Sequence, residues 1–361
     1  MVFVFDNQRV ANVEVGESLK GKKLADLVAA VPTLERVQIE QSDEARLPPG
    51  LIAALAEHVF RKRPEIKLRI FMGAELDLSF LVDLPMLQNL GIEVSQRIDN
   101  VPALASCKSL KTLSLTLPKS ADVNLVEHVA TTVEELSIGS ESFGKLDLTP
   151  LARLQRLRRL SLIRCEHQLA EVLPRLPRLQ VLKLYAINRL GNLEALTNLR
   201  ALHSLRMQRC GFANLEALTQ LPKLRYLQLW WMQNLRNIDF VGSLLALEGL
   251  LFETLNNVKK FPSLTALRKL QVVQLATMAA MRDFTAFETA PRLQEFVFQR
   301  ADRQRPTDFE PVLRNKSLKR GGFGFHKKID VQTMTALLAK YRIDGEVYMY
   351  PQLRGTYKRL Q

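Results

Sequence analysis

The sequence is poor in the residues that carry most redox, metal and nucleophilic chemistry. Three cysteines occur in 361 residues, Cys107, Cys165 and Cys210. They form no C-x-x-C pair and give no disulfide framework, as in a reducing compartment. The five histidines, His58, His128, His167, His203 and His326, are never at metal-ligand spacing from one another. H-E-x-x-H, G-x-S-x-G, G-x-x-x-x-G-K and G-x-G-x-x-G are all missing. Glu166 beside His167 is a poor acid–base pair, because neighbours in a loop point apart as often as together. No catalytic set, metal site or cofactor site is therefore expected, and the chain reads as a non-enzyme. No run of 18 apolar residues occurs, so no membrane span is expected. The start, "MVFVFDNQRV", lacks a basic region, a longer apolar region and a small-residue cleavage site. A cytoplasmic location is the expectation, with delivery into another cell still compatible. Aromatic residues are only 7% against 47% hydrophobic, which points to an aliphatic core. Acidic residues are also short: Lys and Arg number 51, Asp and Glu 37, a net charge of +14. That excess favours an acidic partner.

What the sequence has is leucine at a fixed interval. L-x-x-L-x-L or a close variant starts at Leu87, Leu110, Val133, Leu157, Leu179, Leu202, Leu224, Leu247, Leu270 and Leu293. Successive starts are 22 to 24 residues apart. Weaker copies begin at Leu34, Ile66 and Leu318. The Leu318 copy absorbs "KRGGFGFHKK", the nearest thing to a glycine-rich basic loop. Between copies the apolar residues fall every third position, as in Phe212, Leu215, Leu218, Leu221 and Leu224. Period three is neither helix nor strand and fits tight three-residue turns. A repeat of this length is the signature of a solenoid.

The pattern resembles the leucine-rich repeat family over most of the chain. Its spacing is similar to that of the short-repeat subclass of phosphatase-regulatory subunits and bacterial internalins. The resemblance implies an α/β solenoid, a leucine-rich repeat horseshoe. Its parallel β-sheet would lie on the concave face, with mostly 3₁₀ or irregular turns on the convex face and caps at both ends. One departure concerns the Asn or Cys that bonds loop backbone in a ladder. That place holds Cys165 and Cys210, but elsewhere Ile187, Met232, Leu255 and Met278. A somewhat irregular coil is the expectation. All three cysteines read as small buried residues.

The ends differ from the middle. "PPGLIAALAEHVFRKRPEIKLRIF" reads as a helix near Pro49 to Arg61 followed by a strand. "FVF" and "VANVEV" could form a hairpin around "DNQ". "VQTMTALLAKY" puts Val331, Met334, Leu337, Leu338 and Tyr341 on one helical face, and "GEVYMY" after it reads as a strand. One continuous domain over 1–361 is expected: a cap over 1–33, about 12 to 13 repeats over 34–328, and a helix–strand cap over 329–361.

Function is sought on the outward positions of the strands. In "LRYLQLWWMQ" the alternation sends Leu227 and Leu229 inward and Tyr226, Gln228 and Trp230 outward. Trp231 stands at the strand end, the more buried of the two tryptophans by expectation. Four repeats from Leu157 then form an acid-free strip with Arg158, Arg159, Arg164, Lys183, Tyr185, His203, Arg206, Arg209 and Arg225. Glu93, Glu134 and Glu135 precede it, and Glu248 and Glu253 follow it. The partner-binding candidates are Arg159, Lys183, Tyr185, His203, Arg206, Arg209, Arg225, Tyr226, Gln228, Trp230 and Trp231. Arg, Tyr and Trp dominate interface hot spots. A second basic stretch, from Arg300 to Lys328, reads as a solvated flank.

These residues support a non-catalytic protein-interaction scaffold for an acidic or mixed-charge protein segment. Nucleic acid or another polyanion is the alternative, since the same cations and stacking rings would serve. A protein partner is preferred because leucine-rich repeats of this kind mostly bind proteins and the glutamate shoulders repel a polyanion. A regulatory subunit of an enzyme such as a phosphatase is the third reading.

Overall fold

The computed structural model describes residues 2–5, 9–14, 19–41, 47–73, 75–140, 145–188, 190 and 193–345. The chain divides into two compact units, Met1–Arg178 and Leu179–Gln361.

In the first unit β1 (Val2–Phe5) and β2 (Val10–Glu14) form the antiparallel hairpin expected at the start. The helix α1 (Gly21–Ala30) follows and buries Leu27 and Ala30, an element the repeat pattern does not announce. Parallel strands then add one per repeat: β3 (Arg36–Gln41), β4 (Lys67–Met72), β6 (Asn89–Val94), β8 (Thr112–Leu117), β9 (Glu135–Ser140) and β10 (Arg159–Ile163). Two short strands, β5 (Glu75–Asp77) and β7 (Arg97–Asp99), pair beside this sheet. The expected helix over 49–61 is α2 (Pro49–Leu55), continued by a π-helical turn over Ala56–Phe60. A last short helix, α3, spans Leu169–Val172.

The second unit is more regular. Its strands are β11 (Val181–Tyr185), β12 (Ser204–Gln208), β13 (Tyr226–Trp230), β14 (Gly249–Glu253), β15 (Val272–Ala276), β16 (Glu295–Gln299) and β17 (Arg320–Phe323), parallel and in sequence order. The period-three segments are 3₁₀ turns, for example over Glu216–Gln220 and Asp239–Ser243. These two drop Leu218 and Val241 into the core, both fully buried. The unit continues with α4 (Glu310–Leu313) and α5 (Lys328–Tyr341). On α5 Met334 is buried but Val331 is 44% exposed, so the expected apolar face is narrower than its sequence pattern. The strand read at "GEVYMY" falls on residues that, apart from Gly345, lie outside those described.

The core of the second unit is not uniformly aliphatic. Nine of the 17 phenylalanines lie between Phe252 and Phe325. Their rings interlock from repeat to repeat: Phe284 and Phe309 are 4.4 Å apart between centroids, Phe261 and Phe287 4.8 Å, and Phe287 and Phe296 5.0 Å. A chain-wide average of 7% conceals this local concentration.

The ladder position is apolar as read: Ile187, Met232, Leu255 and Met278 are fully buried. The coil nonetheless stays regular through the five-residue strands β11 to β16. Polar groups two places further on take over the role, with Asn234 Nδ2 donating to Gly211 O at 2.9 Å and Asn257 Nδ2 to Gln233 O at 2.7 Å. Later, Gln304 donates to Met278 O and Met281 O, and Asn315 to Phe287 O and Ala290 O. Buried carbonyls need such partners. Cys165 Sγ donates weakly to Ile163 O at 3.3 Å and Cys210 Sγ to Gln208 O at 3.4 Å, each within its own strand end, and Cys210 also reaches Leu184 O of the preceding repeat at 3.6 Å.

Each of six successive strands of the second unit ends in a residue of left-handed conformation. Ala186, Arg209, Trp231, Thr254, Thr277 and Arg300 have φ between 51° and 56°. The amide of Arg209 thereby reaches Trp230 O at 2.9 Å, that of Trp231 reaches Glu253 O at 2.9 Å, and that of Thr254 reaches Ala276 O at 2.9 Å. This one-residue kink stacks its side chains in a column along one sheet edge. Two candidate residues, Arg209 and Trp231, stand in it.

Candidate partner-binding face

Register places the outward residues of the second unit in three rows. The row at the strand centre runs Lys183, Arg206, Gln228, Leu251, Gln274, Val297. Its cations are confined to the first two strands. From Leu251 onward the residues are buried, and Leu251, Ala276 and Val297 form an apolar cluster. The row at the strand ends runs Tyr185, Gln208, Trp230, Glu253, Ala276, Gln299.

Three candidates come together at the strand ends. Arg209 Nη1 donates to Tyr185 Oη at 3.1 Å, and its guanidinium carbon lies 4.5 Å from the centre of the Trp231 ring. Trp231 remains 39% exposed, whereas Trp230 is half-buried. This reverses the expected order of the two tryptophans. The cause is the left-handed backbone at Trp231, which swings its ring out of the strand's alternation and onto Arg209.

Arg206 is held differently. Its Nε donates to Gln228 Oε1. Gln228, expected to be an exposed contact, is only 4% exposed, because Arg206 lies across it. The Gln228 Nε2 atom is buried with no partner among the described residues. An unmatched buried amide costs about 1–3 kcal/mol.

Tyr226 also departs from the expectation. It lies on the outward face but is only 4% exposed, so it is not an open anchor. Its ring rests on Gly249, where a Cβ would meet Tyr226 Cδ1 at 3.1 Å. Its hydroxyl donates to Glu248 Oε2 at 3.0 Å. Arg225 stacks over the ring at 5.5 Å and forks onto both oxygens of Glu248 at 2.7 Å. Glu248, read as a repelling shoulder, is thus bonded to two of the candidates, Arg225 and Tyr226. The Arg225 guanidinium, with the Tyr226 hydroxyl, holds its carboxyl below the usual range; the same bond raises the pKa of Arg225. The register could have revealed this, since residues 225 and 248 occupy one repeat position in consecutive repeats.

The remaining candidates lie apart. His203 lines a separate cleft with Arg225, at the opposite ends of the strands. Arg159 belongs to the first unit, where it pairs with Glu135 at 3.3 Å, and Arg158 stands 4.0 Å from Glu134. Within the second unit the acid-free strip is narrower than its sequence outline, because Glu248 neutralises Arg225. Arg206 and Arg209 have no carboxylate within 4.0 Å among the described residues.

The second basic stretch is partly paired. Arg314 forks onto Glu288, Arg320 meets Glu295 at 3.0 Å, and His326 meets Asp302 at 2.8 Å. Among the described residues no group of three His, Cys, Asp or Glu is placed to hold a metal, and no helix is long and apolar enough to cross a membrane. Burial pushes the Cys107 and Cys165 thiols up to about 12.

No family model matches the sequence, and no curated protein matches it. Solved structures do. An internalin (inlF) from Listeria monocytogenes is 14% identical over 90% of this chain and 89% of its own, with a TM-score of 0.55. A leucine-rich repeat protein from Leptospira interrogans is 15% identical over 91% of this chain and 93% of its own, with a TM-score of 0.46. An internalin C2 from Listeria monocytogenes is 18% identical over 55% and 74%, with a TM-score of 0.37. Taken with the repeating strand and 3₁₀ turn, the first of these likenesses makes the fold plain: this chain is a leucine-rich repeat solenoid.

Proposed function

We propose that the protein is a non-catalytic interaction scaffold whose second unit grips an acidic segment of a partner protein. Lys183, Arg206 and Arg209 supply charge, and Tyr185, Trp230 and Trp231 supply stacking surface. The observation that carries this reading is how Arg206 and Arg209 are held. Gln228, Tyr185 and Trp231 orient both guanidinium groups, yet all three holders are neutral. The side chains are preorganised while their charge stays uncompensated. A carboxylate arriving there gains charge-assisted bonds without first displacing an acid of the protein itself. The narrowness of the cationic strip favours a short segment over a long polyanion, and within the second unit the Arg225–Glu248 pair removes one further cation from it. Thiols held protonated up to about 12 agree with a non-catalytic role.

The test is fluorescence polarisation with labelled octapeptides rich in Asp and Glu, some bearing an aromatic residue, beside Asn/Gln counterparts. Acidic members of the panel bind the wild type and lose about tenfold in affinity to Arg206→Gln/Arg209→Gln, roughly 1.4 kcal/mol. Equal binding of the amide counterparts, or no effect of the double substitution, contradicts the reading. Preferential binding of an oligonucleotide probe with a steep salt slope would replace it with the polyanion reading.

A further inference from the structure

The cleft at the other ends of the strands has no role in that grip. It is an open cavity of about 470 Å³ in the second unit, walled by His203, Lys223, Arg225, Ala246, Glu248 and Lys269, among others. Its origin is legible in the repeat. The residue before each L-x-x-L-x-L is Ala201, Lys223, Ala246 and Lys269 in four successive repeats. A lysine, an alanine and a lysine thus stand side by side along the sheet edge. The small Ala246 leaves the gap, and two exposed lysines border it. Their backbones are two strand spacings apart, about 10 Å, so both side chains can lean over the alanine.

The back of the cleft is rigid and electrically closed. Arg225 and Glu248 neutralise each other through two bonds of 2.7 Å, and Tyr226 Oη fixes the same carboxylate at 3.0 Å. Two of the five N–H bonds of Arg225 are spent on Glu248, which leaves donors on its other edge. The net charge contributed by Lys223, Arg225, Lys269 and Glu248 is +2. A single carboxylate would cancel half of it. A phosphate monoester, with a charge of about −1.5 to −2 at neutral pH and three acceptor oxygens, matches both the charge and the donors.

From this geometry we infer that the cleft is a binding site for a phosphate monoester, seated over Ala246 between Lys223 and Lys269. The cavity exceeds a bare phosphate, so the group arrives on a carrier, either a phosphorylated side chain or a small phosphorylated metabolite. The site is distinct from the Arg206–Trp231 grip and stands or falls without it.

Isothermal titration calorimetry with O-phosphoserine and glycerol phosphate tests the inference, with serine and succinate as controls. Both phosphates bind in the millimolar range or tighter, and the stronger one identifies the kind of carrier. Lys223→Ala/Lys269→Ala lowers the affinity about tenfold, the scale of a lost charge-assisted contact. Ala246→Leu fills the gap without changing charge and abolishes binding, while Arg206→Gln/Arg209→Gln leaves it unchanged. Thermal melts of each variant confirm that the fold is intact. Failure of both phosphates to bind overturns the inference. So does succinate binding as well as they do, or an unchanged affinity in the double lysine variant.

Discussion

A residue of left-handed backbone closes each of six strands in the second unit, and none of the six is glycine. For the β-branched Thr254 and Thr277 this conformation is costly, about 1–2 kcal/mol for an L-residue. Thr277→Gly relieves that cost and loses part of it again to the unfolded chain, about 0.5–1 kcal/mol. The expected result is a gain of roughly 0.5–1 kcal/mol in urea unfolding. At Trp231 the same backbone turns the ring onto Arg209, so Trp231→Gly should stabilise the turn but weaken partner binding. Gln228 offers a second separation of stability from function. Gln228→Met removes the unmatched Nε2 from the interior and is expected to leave stability equal or higher. It also frees Arg206, so peptide affinity should fall. Burial raises the Cys107 and Cys165 thiols from 9.0 to about 12. Stability from keeping them neutral is complete below pH 9 and is lost as the pH rises towards about 12, because only the unfolded thiols ionise in that window. Reaction with a thiol reagent at pH 8 should therefore require unfolding, and rapid labelling of the native protein would contradict the assigned burial.

At the scale of elements, the leucine and valine positions of strands and 3₁₀ turns are legible because burial has a fixed period. Leu218, Leu227, Leu229 and Val241 sit where that period puts them. The helix α1 escapes because "GKKLADLVAA" is short and lies outside the repeat. The phenylalanine stack escapes because L-x-x-L-x-L tolerates Phe at its leucine positions, as Phe296 and Phe298 do, and composition averages over the whole chain. That stack joins consecutive repeats, so its removal should weaken several at once. Phe309 is fully buried and touches the rings of Phe284, Phe298 and Phe323. Phe309→Ala should cost about 3–5 kcal/mol. Asn315→Ala strands two buried carbonyls, Phe287 O and Ala290 O, and should cost about 1–3 kcal/mol. Denaturant unfolding followed by circular dichroism measures both. Values near zero would mean that neighbouring repeats do not depend on these contacts.

At the scale of the whole molecule, the count of 51 Lys and Arg residues overstates the free cation available to a partner. Arg225, Arg314 and Arg320 are tied to glutamates, and Arg63 and Arg153 donate to backbone carbonyls. Sequence alternation found the outward face but not its electrostatics. Pairing depends on register between residues 22 to 26 apart, and exposure depends on which long side chain lies over which short one. Alternation alone therefore marks Tyr226 and Gln228 as contacts, whereas Arg225 and Arg206 cover them. Binding through Arg206 and Arg209 should weaken moderately with salt, as a few ion contacts require. The chain's only tryptophans, Trp230 and Trp231, both stand at the proposed grip, so their fluorescence reports on it without a label. The decisive measurement is tryptophan emission during titration with the acidic octapeptides. The expected result is a saturable change in the wild type, much reduced in Trp231→Phe and shifted about tenfold to higher peptide concentration in Arg206→Gln/Arg209→Gln. Peptide binding that leaves the emission unchanged, or an identical titration in the double arginine variant, would place the partner elsewhere and contradict the account.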